Sequence, residues 1–173
     1  PLSGMRIDLE KSTDGSTFLP VPASATTATD GTFTFGGLRS TSKTWYRAVF
    51  SGTTEYASAA SGAVCVSVRP RVGQPIGPRT MSRGRNTTYS GYLMPRHSPG
   101  THPVRIYRYL YVAGAWKYSG YSVAIATHGS SGDRYSARVA LPTAGKWRLR
   151  SYAPSDDAHA AAWSRGYTSV TVK

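Results

Sequence analysis

Short runs of alternating apolar and polar residues carry most of the chain's pattern. In Val104–Tyr111 (VRIYRYLY), Val104, Ile106 and Leu110 fall on one side and Arg105, Tyr107, Tyr109 and Tyr111 on the other. That period of two marks a half-buried strand; Arg108 interrupts the apolar side and is expected near its edge. KWRLRSY repeats the pattern, with Trp147 and Leu149 alternating with Lys146, Arg148 and Arg150. In AVCVSV, Val64, Val66 and Val68 alternate with Cys65 and Ser67. Reading the chain this way predicts strands near 5–11, 17–22, 31–36, 44–50 and 62–68, with turns at Asp14-Gly15 and Asp30-Gly31. A second series is predicted near 79–82, 87–94, 103–112, 115–125, 134–141, 146–153 and 166–173. Helix formers are scarce, with Glu10 and Glu55 the only glutamates. The chain reads as all-β.

Between the two series, 69–78 (RPRVGQPIGP) breaks the pattern with prolines and glycines and reads as a short, stiff linker or partly as a first strand. The predicted modules are therefore 1–68 and 79–173. They resemble each other. Met5-Arg6-Ile7 matches Val104-Arg105-Ile106, Tyr46-Arg47-Ala48 matches Trp147-Arg148-Leu149, and Val66-Ser67-Val68 matches Val170-Thr171-Val172, at nearly constant spacing. Seven short strands with turns between them are the sequence form of an Ig-like or fibronectin-III-like β-sandwich, with a small barrel as the alternative. No Cys…Trp…Cys core of the antibody type is present. On the internal alignment the first module lacks its first two strands, A and B, which would leave sticky edges for an upstream segment or another chain to complete.

Charge changes the picture for the second half only. The chain carries a net +13, yet up to Val68 five basic residues balance Asp8, Glu10, Asp14, Asp30 and Glu55. Beyond it, sixteen Lys and Arg face only Asp133, Asp156 and Asp157. Such a field attracts polyanions, although Arg in excess over Lys is also what high-GC coding produces. No apolar run reaches the ~20 residues of a membrane-spanning helix. With Pro1 first and no apolar leader, the chain reads as a processed or excised piece. Cys65 alone permits no internal disulfide and reads as a small strand residue facing away from the valines.

The run TWYRAVFSGTTEYASAASGAVCVSV resembles bacterial Ig-like repeats in which a Tyr-Arg-Ala strand precedes a Ser-Gly loop, a Tyr and a Val-rich closing strand. GYLMPRHSPGTHPVRIYRY and AGKWRLRSYAPSDDAHAAAWSRGYTSVTV resemble Ig-like repeats of secreted and cell-surface actinobacterial proteins. The resemblance covers nearly the whole chain and implies an extracellular stalk, adhesion or accessory role. It implies no chemistry.

The residues agree with that. Carboxylates are few, and the adjacent pair Asp156-Asp157 is a poor acid/base couple. With His159 the pair could bind a metal, but a solvated loop is the reading preferred. His97, His102, His128 and His159 read as turn-capping or exposed imidazoles without zinc spacing. No nucleophile-elbow or phosphate-loop motif is present, and Asn86-Thr87-Thr88 is a glycosylation triplet of low specificity. No catalytic residue, metal site or cofactor is expected, and the chain is read as no enzyme. The candidate surface is one sheet face on the second module, where strands C, F and G would gather Arg105, Tyr107, Tyr109, Tyr111, Lys146, Arg148, Arg150 and Tyr167, flanked by Ser169 and Thr171. It suits carbohydrate or an anionic wall polymer; alternatively its rings and guanidinium groups stack on one another or on a neighbouring module. The leading expectation is a structural or adhesive repeat contacting other protein modules or copies of itself. Polymer binding comes second and nucleic acid, without a reader motif, last.

Overall fold

The computed structural model describes residues 1–97, 103–129 and 132–173. It is all-β, and none of its described residues lies in a helix. The chain divides into two compact units, Pro1–Val68 and Arg69–Lys173.

The first unit is one sheet. Its strands are β1 (Arg6–Ser12), β2 (Leu19–Thr26), β3 (Thr44–Phe50), β4 (Ala59–Ala60) and β5 (Val64–Val66), with β1 between β2 and β3, and with β4 and β5 both on the outer side of β3. Registers put Leu9 opposite Ala48, and Tyr46 opposite Val64, on one side of the sheet. Ile7 and Leu9 are buried there, while Val64 and Val66 remain 66% and 40% exposed. Within the unit, no second sheet covers that side. The strand predicted at 31–36 does not form, although Phe33 and Phe35 alternate as a strand would. A strand needs a neighbour to take its N–H and C=O groups, and this unit offers none beside it. The two rings touch edge-on instead, with centroids 5.7 Å apart.

The β1–β2 turn is held by Asp14, whose Oδ1 accepts the Ser12 hydroxyl at 2.6 Å and the N–H groups of Ser16 and Thr17 at 2.8 Å each. These bonds, the Ser12 hydroxyl first, hold its carboxyl well below the ordinary 3.8. The turn therefore keeps its stabilisation above pH 3.8 and loses it as pH falls through the depressed value. The Ser16 and Thr17 amide resonances should accordingly stay fixed as pH drops through 3.8 and move only in stronger acid.

The second unit is a sandwich. Its strands are β6 (Arg71–Val72), β7 (Thr80–Met81), β8 (Asn86–Met94), β9 (Pro103–Val112), β10 (Ala115–His128), β11 (Asp133–Ala140), β12 (Gly145–Ala153), β13 (Ala162–Trp163) and β14 (Thr168–Val172). They follow the order β6-β8-β11-β10-β9-β12-β14-β7, with β13 also on β12. The long β10 turns the corner, pairing with β9 over Ala115–Ile125 and with β11 over Ala126–His128. Tyr89, Leu93, Tyr135 and Val139 on one side and Val104, Ile106, Trp147, Leu149 and Val170 on the other fill a common core.

Of the two readings of 69–78, the first strand holds rather than the free linker. Arg71–Val72 pairs with β8, Ile76 bridges to Ser90, and Pro78 accepts a hydrogen bond from the Tyr89 hydroxyl at 2.6 Å. Its prolines punctuate the sequence, yet the segment docks along β8. Gly73 supplies a carbonyl to the Tyr135 hydroxyl at 2.7 Å, and that hydroxyl also bonds Ser151 at 2.6 Å, joining both sheets through a buried polar contact. Gly91, opposite Tyr135, makes room, since a Cβ there would overlap the hydroxyl. Burial pushes the Tyr135 phenol up to about 12. Its contribution to stability is complete below pH 10 and is lost as pH rises toward 12, because the unfolded phenol ionises first. Tyr135→Phe should cost about 1–3 kcal/mol at neutral pH by stranding Ser151 and the Gly73 carbonyl. Denaturant titration at pH 7 and pH 11 should show the deficit shrinking at the higher pH.

Candidate functional site

Alternation along β9, β12 and β14 turns the predicted residues outward. Val104 and Ile106 are buried while Arg105, Tyr107, Tyr109 and Tyr111 take the opposite side; Trp147 and Leu149 are buried while Lys146, Arg148 and Arg150 face out. The strands are neighbours, with Arg148 opposite Tyr109 and Arg150 opposite Tyr107 across one boundary, and Lys146 opposite Thr171 and Arg148 opposite Ser169 across the other. Tyr167 precedes β14, and its ring lies 6.1 Å from that of Tyr109. All eight predicted residues share one face.

Arg108 falls on the apolar side of β9 but outside the buried core. It lies half-buried on the core side, donating from Nη1 to the Ala140 carbonyl at 2.9 Å and from Nη2 toward the Tyr121 carbonyl at 3.4 Å. Its guanidinium fills the space beneath Gly120, where a Cβ would come within 2.8 Å of Nη2 and φ is +93°.

The face is larger than alternation along three strands indicates. β10 runs beside β9 and adds Trp116, Tyr118 and Tyr121, opposite Tyr111, Tyr109 and Tyr107. A bulge between Tyr118 and Tyr121 breaks the period of two, so both tyrosines point the same way. Tyr152, the next outward position of β12, and Trp163 of β13 complete it. The Tyr107 ring lies within 4.8–5.9 Å of the rings of Tyr118, Tyr121, Tyr152 and Trp163. Tyr118 is 56% exposed, and Tyr111, Tyr121, Tyr167 and Trp163 are each at least 40% exposed.

Arginines thread this platform. Arg148 stacks on Trp116 at 4.2 Å and Tyr167 at 5.5 Å, Arg150 lies 5.0 Å from both Trp163 and Tyr167, and Arg105 lies 5.2 Å from Tyr121. Each exposed pair contributes roughly 0.5–1 kcal/mol and fixes the guanidinium plane against a ring. Arg150 also donates to the Ser164 carbonyl at 3.0 Å. None of these three arginines makes an ion pair among the described residues, and β9, β10, β12 and β14 contain no Asp or Glu. Burial, then the neighbouring Tyr167, raises the Tyr109 phenol above 10, so it stays neutral in neutral solution. Tyr109, Trp116, Arg148 and Tyr167 line a cleft of about 210 Å³.

Compared with known proteins, the chain matches no family model and no curated protein.

Two of the histidines are not exposed imidazoles: His97 and His159 are 5% and 6% accessible and come together with Asp156. The solvated-loop reading of Asp156 and His159 is overturned with them, because the loop after β12 folds onto the segment after β8. His128 is exposed and bonds Asp133 through Nδ1 at 2.6 Å. His102, with the turn it is expected to flank, lies outside the described residues. Asn86 of the glycosylation triplet is exposed at the start of β8.

Proposed function

We propose that this chain is a non-enzymatic extracellular adhesive protein whose second unit binds an anionic carbohydrate polymer across its aromatic, arginine-bearing face. One observation carries the reading: three arginines, without carboxylate partners among the described residues, lie among exposed rings. Tyrosine and tryptophan faces suit the C–H faces of sugars. Guanidinium groups already oriented by stacking suit carboxylate, sulfate or phosphate substituents, to which they donate paired hydrogen bonds. The test compares polymers that share a backbone and differ in charge. Affinity for the anionic one should fall steeply with salt and exceed affinity for the neutral one. Equal, salt-indifferent binding of both would leave stacking alone, and no binding of either would refute the proposal.

A tandem Ig-like arrangement is part of this reading. Its support is the pairing: Glu10 opposes Arg47 as Tyr109 opposes Arg148, and the ladders β1–β2 and β9–β10 are each broken by a bulge. On this reading β2, β1, β3 and β5 correspond to β10, β9, β12 and β14, and it is a whole facing sheet that the first unit lacks, not two strands alone.

The side of the first unit that no second sheet of its own covers, where Val64 and Val66 stay exposed, favours a second contact, with strands of another module or of another copy of the chain. Light scattering should then find salt-independent association, because the contact is apolar. A monomer at every salt concentration would exclude association between copies.

A further inference from the structure

We propose that His97, His159 and Asp156 form a binding site for a divalent transition-metal ion of the zinc class. The three residues come from distant stretches of the second unit. His97 follows β8, and Asp156 and His159 lie between β12 and β13. Their ligand atoms lie within 4.8 Å of one another. His159 Nδ1 is 3.1 Å and His97 Nε2 is 3.8 Å from Asp156 Oδ2. All three side chains are nearly sealed from water, at 5%, 2% and 7% exposure for His159, His97 and Asp156.

Each group is aimed by its surroundings. Asp156 Oδ1 accepts the N–H groups of Ala158 and His159 at 2.6 and 2.5 Å, which turns Oδ2 toward both imidazoles. The His97 N–H donates to Asp133 Oδ2 at 2.6 Å, anchoring the backbone. His97 Nδ1 lies 2.8 Å from the Pro95 carbonyl. A carbonyl only accepts, so Nδ1 carries the proton of that bond, and Nε2, 3.8 Å from Asp156 Oδ2, is the ring nitrogen on the side of the cluster. The two imidazole rings also lie nearly face to face, with centroids 3.9 Å apart and planes 31° apart.

His159 Nδ1 donates to Asp156 Oδ1 and Oδ2 at 3.2 and 3.1 Å, and a cation would take the place of that proton within the cluster. Zinc bonds imidazole nitrogen and carboxylate oxygen at about 2.0–2.2 Å, so tetrahedral ligands stand on the order of 3.3 Å apart. The His159 separation from Asp156 already meets that, and the His97 separation needs to close by about half an ångström. Two nitrogens and one carboxylate favour zinc, cobalt, nickel or copper over calcium or magnesium, which take mostly oxygen. The Pro95 carbonyl on His97 Nδ1 supplies the outer hydrogen bond that metal-ligating histidines ordinarily carry.

The experiment uses the full chain, freed of metal with a chelator. Zinc titrated by calorimetry should bind one ion per chain, and cobalt should develop the intense visible bands of a four-coordinate site. Melting temperature should rise with zinc and return on adding chelator. His159→Ala and His97→Ala should each weaken binding at least tenfold. Since these buried positions can affect folding, nitrogen resonances of the wild-type histidines provide an independent reading. Zinc should shift His97 Nε2 and the His159 ring and leave His128 largely unmoved. No cobalt bands with no shift at His97 and His159, or shifts confined to other histidines, would overturn the proposal.

Discussion

Changing Arg148 and Arg150 together to Ala should weaken binding of an anionic polysaccharide on the order of tenfold in low salt, which corresponds to the ~1.4 kcal/mol expected from two exposed ion pairs. The logarithm of affinity should also depend less steeply on the logarithm of salt, by about one unit for each guanidinium removed, as for other linear polyanions with condensed counterions. The fold should survive, because both side chains leave the core and neither makes an ion pair among the described residues. Arg134 and Arg138 on β11, in the other sheet, supply the control. Replacing those two removes the same net charge but keeps the stacked arginines in place. If general basicity did the binding, both double variants would lose affinity equally. If the stacked arginines do it, the β11 variant loses little.

Trp147→Ala should have the largest effect on stability, about 3–5 kcal/mol. Trp147 is 1% exposed, sits in the common core, and donates from Nε1 to the Thr143 carbonyl at 2.9 Å. Set against the roughly 5–15 kcal/mol typical of a whole domain, that loss should lower the melting temperature by roughly 10 °C or more. Tyr46→Ala in the first unit should cost less. Tyr46 is only half-buried, since no second sheet of its unit covers its side. Thermal unfolding of each variant, followed by near-ultraviolet circular dichroism, checks the order. An equal loss in both would mean that the first unit's sheet is covered after all.

Much of the candidate face was legible because β9 and β12 alternate over most of their length, so burying Val104, Ile106, Trp147 and Leu149 turns Arg and Tyr outward as a set. The β10 contribution was hidden by a local event. Its bulge changes the phase between Tyr118 and Tyr121, and a period of two does not extend across it. Trp163 was hidden because a strand of two residues has no period. The opposite error arose at 31–36, where good alternation predicted a strand that lacks a partner for its backbone. The histidine cluster depends on two loops meeting across the fold, and nothing in the spacing of His97, Asp156 and His159 encodes that meeting. At 69–78 the sequence left linker and first strand open for a related reason: Pro and Gly mark where a chain turns, not whether it docks on the strand beside it.

The most direct test of polymer binding by this face is to map where an anionic oligosaccharide lands, by following backbone and aromatic resonances of the labelled chain during titration at low salt. The largest shifts should fall on Tyr107, Tyr109, Trp116, Arg148, Trp163 and Tyr167 and fade as salt is added. Shifts centred on the opposite sheet, or spread evenly over every basic residue, would contradict it.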